Sequence, residues 1–206
     1  MNKKQAQSEQ TKSRVAAAAR ALFAQKGYKA TSIEDIVEAT ECSKGNIYYH
    51  FKSKEGLFLY LLDEWDLEWE QKWQEQEARY QSSIEKLYAI ADLLVLDDFN
   101  HPLTKAADEF FNLEEKSNEV DKRVTEMMAR HLRFNQRLIQ EGIDRGEFAP
   151  DHPIGHLAVI LESLLYGLNQ LSRRTYRMEE AIALYRTAVD VMLNGIAKRE
   201  KAIPEA

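Results

Sequence analysis

The sequence predicts an all-α chain of about nine helices: a three-helix N-terminal head with a helix-turn-helix over residues 1–54, then a helical body over residues 55–206. Three observations predict it. Apolar residues recur three and four apart along most of the chain, the spacing of one helix face. No stretch alternates with the period of two that a half-buried strand shows. Finally, Pro102, Pro150, Pro153 and Pro204 all stand at the ends of periodic segments, where a missing N–H does least harm.

The first helix covers residues 9–26, with Val15, Ala18, Leu22 and Phe23 on one side. Gly27 follows as a C-cap. Thr31 and Glu34 fit a capping box for a second, short helix whose apolar stripe is Ile33, Ile36 and Val37. Residues 39–42 make a compact turn, with Cys42 read as a small half-buried residue without chemistry. Ser43 then suits the N-cap of a third helix.

In that third helix Ile47 is the core residue, and Tyr48 and Tyr49 are adjacent. Neighbouring helical residues point about 100° apart, so a helix this short on a small core cannot bury both rings. Lys44, Asn46, His50, Lys52 and Lys54 lie within a dozen residues of the pair. Together they supply donors for phosphate and side chains able to reach base edges. Gly45 lies with Lys44, Asn46 and the tyrosines on the outer faces of the helix, and Thr31 and Ser32 sit where free amides and the helix dipole favour a phosphate. Thr31, Ser32, Ser43, Lys44, Gly45, Asn46, Tyr48, Tyr49, His50 and Lys54 are therefore the candidate DNA contacts, with Lys12 or Arg14 lent to the backbone by the first helix. Charge agrees: residues 1–54 carry 10 Lys or Arg against 5 Asp or Glu, while the remainder is acidic enough to bring the whole to −6. A basic end on an acidic protein suits a DNA binder whose other part does different work.

Ser53 caps a fourth helix running to about Arg79, roughly 40 Å at 1.5 Å per residue. Trp65, Trp69 and Trp73 form one stripe on it, interleaved with Asp63, Glu64, Asp66, Glu68 and Glu70. Two readings of the stripe stay open: a packing seam, or the lining of a ligand cavity in which aromatic faces beside carboxylates suit lipophilic cations. Different Trp residues can hold both roles. Residues 82–96 form the next helix, closed by the breaker cluster Asp97-Asp98-Phe99-Asn100-His101-Pro102. There Asp98 becomes an anionic partner for a cation if it folds over the stripe. Helices over 103–115, with Phe110 and Phe111, and over 118–144 follow. The last two, Pro153 to Thr175 and Met178 to Lys198, carry apolar stripes wide enough to close a core and meet a partner chain. Trp65, Asp66, Trp69, Asp98, Phe110, Phe111, Tyr166 and Asn169 make up the candidate ligand set.

Other chemistry is not written in the chain. No nucleophile elbow, phosphate-binding glycine loop or metalloprotease motif occurs, so no enzyme and no cofactor is expected. His152 and His156 have helical metal-ligand spacing, but Pro153 places the first outside the helix, and no metal is expected. One cysteine permits no internal disulfide, the N-terminus lacks an apolar signal core, and no uncharged apolar run approaches a bilayer span; a cytoplasmic protein is expected.

At these residues a family resemblance appears. LF…GY.AT…DI followed by SKGNIYYHFKSKE.LF, over roughly residues 16–61, resembles the TetR family of transcription regulators. The continuation through the Trp-bearing fourth helix is similar to QacR-type multidrug-binding repressors. The resemblance implies a homodimer joined by the last two helices, a palindromic DNA operator, and release by a small-molecule effector. For a QacR-like sensor that effector is lipophilic and often cationic, and the controlled gene serves efflux. A neutral or anionic metabolite, such as an acyl chain or a phenolic, is the alternative.

Overall fold

The computed structural model describes residues 3–113, 117–149 and 151–194. Among them it holds no strand and nine helices: α1 (Lys3–Lys26), α2 (Ile33–Thr40), α3 (Lys44–Phe51), α4 (Lys54–Glu77), α5 (Ser83–Asn100), α6 (Thr104–Phe111), α7 (Asn118–Asp144), α8 (Ile154–Thr175) and α9 (Met178–Asn194). The all-α expectation holds. Two expected helix ends, at residues 115 and 198, lie outside the described residues.

Three local expectations are corrected. Helix α1 begins at Lys3 rather than residue 9, because polar residues with good helix propensity need no apolar stripe to continue a helix. The capping box of α2 is one residue later than expected, Ser32 with Asp35. Thr31 is unavailable for it because its hydroxyl donates to the carbonyls of Gly27 (2.7 Å) and Leu22 (3.3 Å), closing the end of α1. The expected breaker over residues 97–102 is mostly helix: α5 runs to Asn100, and only Pro102 stops it. Asp97 and Asp98 are therefore helical rather than in a loop. Ser43 does cap α3, accepting from the Asn46 N–H at 3.2 Å.

The chain forms two compact units, and the first is larger than the expected head of residues 1–54. It joins the stretch up to Glu75 with Asn100–Arg130. The reason is a shared aromatic core: Phe23 meets Phe58 edge-on at 4.9 Å, and Phe110 of α6 reaches Tyr28 at 5.0 Å and Phe58 at 5.1 Å. Val15, Ile36, Ile47, Phe51, Leu57, Leu61 and Leu103 complete it, all buried. Burying one such side chain contributes about 1.5–3 kcal/mol.

The second unit joins Gln76–Phe99 with the chain from His131 onward. Its buried residues include Leu87, Ile90, Val95, Leu138, Ile139, Ala158, Leu161, Leu165, Tyr185 and Val189. Lys86 is buried with them, its ammonium held by Glu77 at 2.9 Å and Glu141 at 2.8 Å.

Candidate nucleic-acid interface and effector residues

Helix α3 is anchored by Ile47 and Phe51, both buried, which leaves its remaining faces outward. Tyr49 is 70% exposed and Tyr48 40%, so neither ring of the adjacent pair is spent on the core. Ser43, Lys44, Gly45 and Asn46 are exposed beside them, and His50 is half-buried, its ring meeting Tyr49 edge-on with centroids 5.0 Å apart. A Cβ at Gly45 would meet nothing nearer than Ser43 Oγ at 3.9 Å, so the position is open to an approaching surface. Lys44 is paired with Glu34 of α2 at 2.5 Å, and Lys26 with Asp35 at 2.8 Å. The hydrogen bond from Lys44 holds the Glu34 carboxyl below the usual carboxylate range.

Three nominated residues use their polar groups inside the head instead. Thr31 is buried, as its hydrogen bonds require. Lys54 lies half-buried over the Tyr28 ring (4.2 Å) and donates to the carbonyls of Tyr28 and Thr31, each at 2.9 Å. Burial lowers its pKa. Ser32 is committed to its cap, donating to Asp35 at 2.6 Å. Cys42 is buried, more so than its sequence context suggested, with the Arg14 guanidinium 3.1 Å from its sulfur.

The nominated effector residues fall into both units. In the first, the Trp stripe divides: Trp73 is buried, whereas Trp65 and Trp69 are half-buried. Trp65 stacks on His101 with centroids 3.7 Å apart and planes at 11°. Asp66 accepts from Arg130 at 3.1 Å. Asp63 accepts from Arg130 at 2.9 Å and also from Arg123. Phe110 is fully buried and packs against Tyr28 and Phe58. Phe111 is half-buried beside it. In the second unit, Asp98 accepts a hydrogen bond from Asn169, whose own carbonyl oxygen accepts from Arg173 at 2.8 Å. Tyr166, on α8, is 47% exposed in the single chain.

His101, Arg123 and Arg130 were not singled out from sequence. The arginines could have been: seven residues apart, they share one face of α7 across two turns. Nothing in the sequence brings His101 to Trp65, since 36 positions separate them. Among the described residues no group of His, Cys, Asp or Glu is placed to hold a metal ion, and no helix is long and apolar enough to cross a membrane.

A short outward-facing polar-aromatic helix, set on a second helix through a tight turn, is a helix-turn-helix; the class is that of DNA-binding transcription regulators. The comparisons narrow it. Residues 15–61 match the family described as bacterial regulatory proteins, tetR family, and residues 66–198 match the QacR-like protein, C-terminal region. The chain belongs to the TetR family of transcriptional regulators, which are not enzymes, and its C-terminal region is of the QacR-like kind. It is 28% identical over 187 residues to the HTH-type transcriptional regulator QacR of Staphylococcus aureus strain Mu50, covering 91% of this chain and 98% of that one. A TetR transcriptional regulator from Chloroflexus aurantiacus superposes with a TM-score of 0.72 at 26% identity, covering 91% and 96% of the two chains. The regulator FadR of Bacillus subtilis, solved in complex with stearoyl-CoA, shares the fold with a TM-score of 0.68 at 19% identity, covering 89% and 98%.

Proposed function

We propose that this regulator is a homodimeric repressor that reads a palindromic operator with α3 and releases it when a small lipophilic effector binds. Residues 1–54 do the reading; residues 55–206 bind the effector and the second subunit. The observation that carries this reading is the exposed Tyr48–Tyr49 pair beside Lys44 and Asn46. A dimer spaces two such helices about 34 Å apart, one turn of DNA. Val159, Ile160 and Leu171 on α8 and Val191 on α9 are exposed apolar residues, which supports pairing through these two helices.

For the effector, the supporting observation is the Trp65 face, already stacked against a flat ring, with Trp69 one turn along the same helix. Planar lipophilic cations suit it, as the likeness to QacR suggests, and the controlled gene is then one for efflux. The coupling needed between sites is modest, about 1–3 kcal/mol. A second reading is favoured by one observation: Arg123 and Arg130 already neutralise Asp63 and Asp66, so a cation gains less from those carboxylates than their number implies. A neutral or anionic effector, such as an acyl chain or a phenolic, avoids that competition.

Selecting duplexes from a random pool with the purified chain tests the DNA reading; failure to enrich any palindrome at low salt removes it. Titrating a cationic dye panel and a fatty-acid panel into the protein–DNA complex, with Trp fluorescence and operator release followed together, separates the effector readings. Asp66→Asn weakens release by a cation severalfold and leaves release by a neutral ligand unchanged.

A further inference from the structure

The turn between α1 and α2, residues 27–32, fixes where α2 starts and hence how α3 is presented. Two charged side chains from outside the helix-turn-helix grip its backbone. From α4, Lys54 donates to the carbonyls of Tyr28 and Thr31. From α6, the Glu109 carboxylate accepts the Lys29 N–H at 2.9 Å, across 80 residues of sequence.

The Glu109 contact is shaped as well as charged. Gly27 has φ +87°, and a Cβ there would lie 2.5 Å from Glu109 Oε1 and 2.7 Å from Oε2. The carboxylate therefore occupies the space that any other residue at position 27 would fill. The same glycine ends α1, its N–H donating to the Phe23 carbonyl at 2.9 Å. Phe110, next to Glu109, is fully buried against Tyr28 and Phe58, so α6 cannot shift without moving either the aromatic core or the carboxylate. Packed interiors transmit such displacements because they have little free volume to absorb them.

We propose that Glu109 is a positioning residue for DNA reading: through Gly27 and the Lys29 amide it ties α6 to the start of α2. A displacement of α6 then reaches the reading helix, and by reciprocity DNA on the reading helix is felt at α6. The proposal rests on the DNA-binding reading above, with DNA itself as the probe, so no effector need be identified. Glu109 touches no DNA, and its effect is on coupling rather than contact.

The test uses the full chain and a palindromic duplex enriched by the wild-type protein, followed by hydrogen exchange with and without that duplex. In the wild type, the duplex slows exchange in α2, α3 and the α6 amides. Glu109→Gln keeps a carbonyl acceptor and keeps the α6 response. Glu109→Met and Glu109→Ala lack the acceptor: the Lys29 amide exchanges about tenfold faster, and the duplex binds within about threefold of wild type yet slows the α6 amides severalfold less than in wild type, the remainder passing through Phe110. Using both variants guards against one side chain simply fitting badly. An α6 response preserved in both, or a Lys29 amide unaffected by either, overturns the proposal. If the wild type enriches no duplex, the DNA reading itself has failed, which is a different result.

Discussion

The ammonium of Lys44, the first residue of α3, lies 2.5 Å from the carboxylate of Glu34 in the first turn of α2. Both side chains are exposed, so in the free protein an internal anion holds the cation nominated for phosphate. Glu34→Gln is predicted to raise duplex affinity by up to about fivefold at low salt. It also steepens the salt dependence by about one released counterion. Fluorescence anisotropy across several salt concentrations measures both. The pair's contribution is present above the ordinary carboxylate range and lost as pH falls through the depressed Glu34 value, so the ratio of variant to wild type stays flat between about pH 6 and 8. An unchanged slope would mean that Lys44 does not meet phosphate.

Tyr49 is not held in the core. Because it is 70% exposed, Tyr49→Ala is expected to leave the melting temperature within a degree or two. Loss of a base or phosphate contact lowers duplex affinity about tenfold or more. A variant that binds like wild type takes Tyr49 out of the interface.

Gly27→Ala combines a left-handed backbone with a collision. The backbone alone costs about 1–3 kcal/mol, and the Cβ lies 2.5 Å from a carboxylate oxygen of Glu109. Adding Glu109→Ala removes the collision and leaves the backbone cost, so urea denaturation of the four proteins should give a coupling of about 0.5–3 kcal/mol. Strict additivity would show that the two positions do not share that space.

Lys86 is buried between Glu77 and Glu141. Burial alone would lower its pKa, but the hydrogen bonds to Glu141 and Glu77 outweigh it and raise it. The Glu141 carboxyl is lowered, chiefly by its hydrogen bond with Lys86. The lysine contribution is complete below the ordinary lysine pKa and is lost as pH rises through the raised value. The glutamate contribution is present above the ordinary carboxyl range and lost as pH falls. The cluster therefore stabilises between about pH 5 and 10. Lys86→Ala should cost about 1–3 kcal/mol at pH 7 by denaturant melt, and the difference from wild type should shrink at pH 3.

The exposed apolar face of α8 tests the dimer. Ile160→Glu with Leu171→Glu, at positions 53% and 67% exposed, should leave the single-chain fold intact by circular dichroism. In sedimentation velocity the wild type runs as a dimer and the double variant as a monomer at micromolar concentration, because charges placed in an apolar interface are not solvated. A double variant that stays dimeric moves the interface elsewhere.

The helical class, the third helix and its cap were legible in the sequence because each is a local matter. Periodicity, Ser43 before a helix, and two adjacent tyrosines on one turn constrain structure within a few residues. The capping box was misplaced by one position because Thr31 and Ser32 are equally good caps locally; only the closure of α1 by the Thr31 hydroxyl distinguishes them. Phe110 and Phe111 likewise read as a pair, and burial among Tyr28 and Phe58 separates one from the other.

What the tertiary structure alone decided is which charges are already taken. Asp66 with Arg130, Asp98 with Asn169, Lys54 with two backbone carbonyls and Glu109 with the Lys29 amide are each separated by 23 to 80 positions along the chain. Sequence supplies the signs of such groups. Folding supplies their distances, and Coulomb attraction and hydrogen bonding depend on distance.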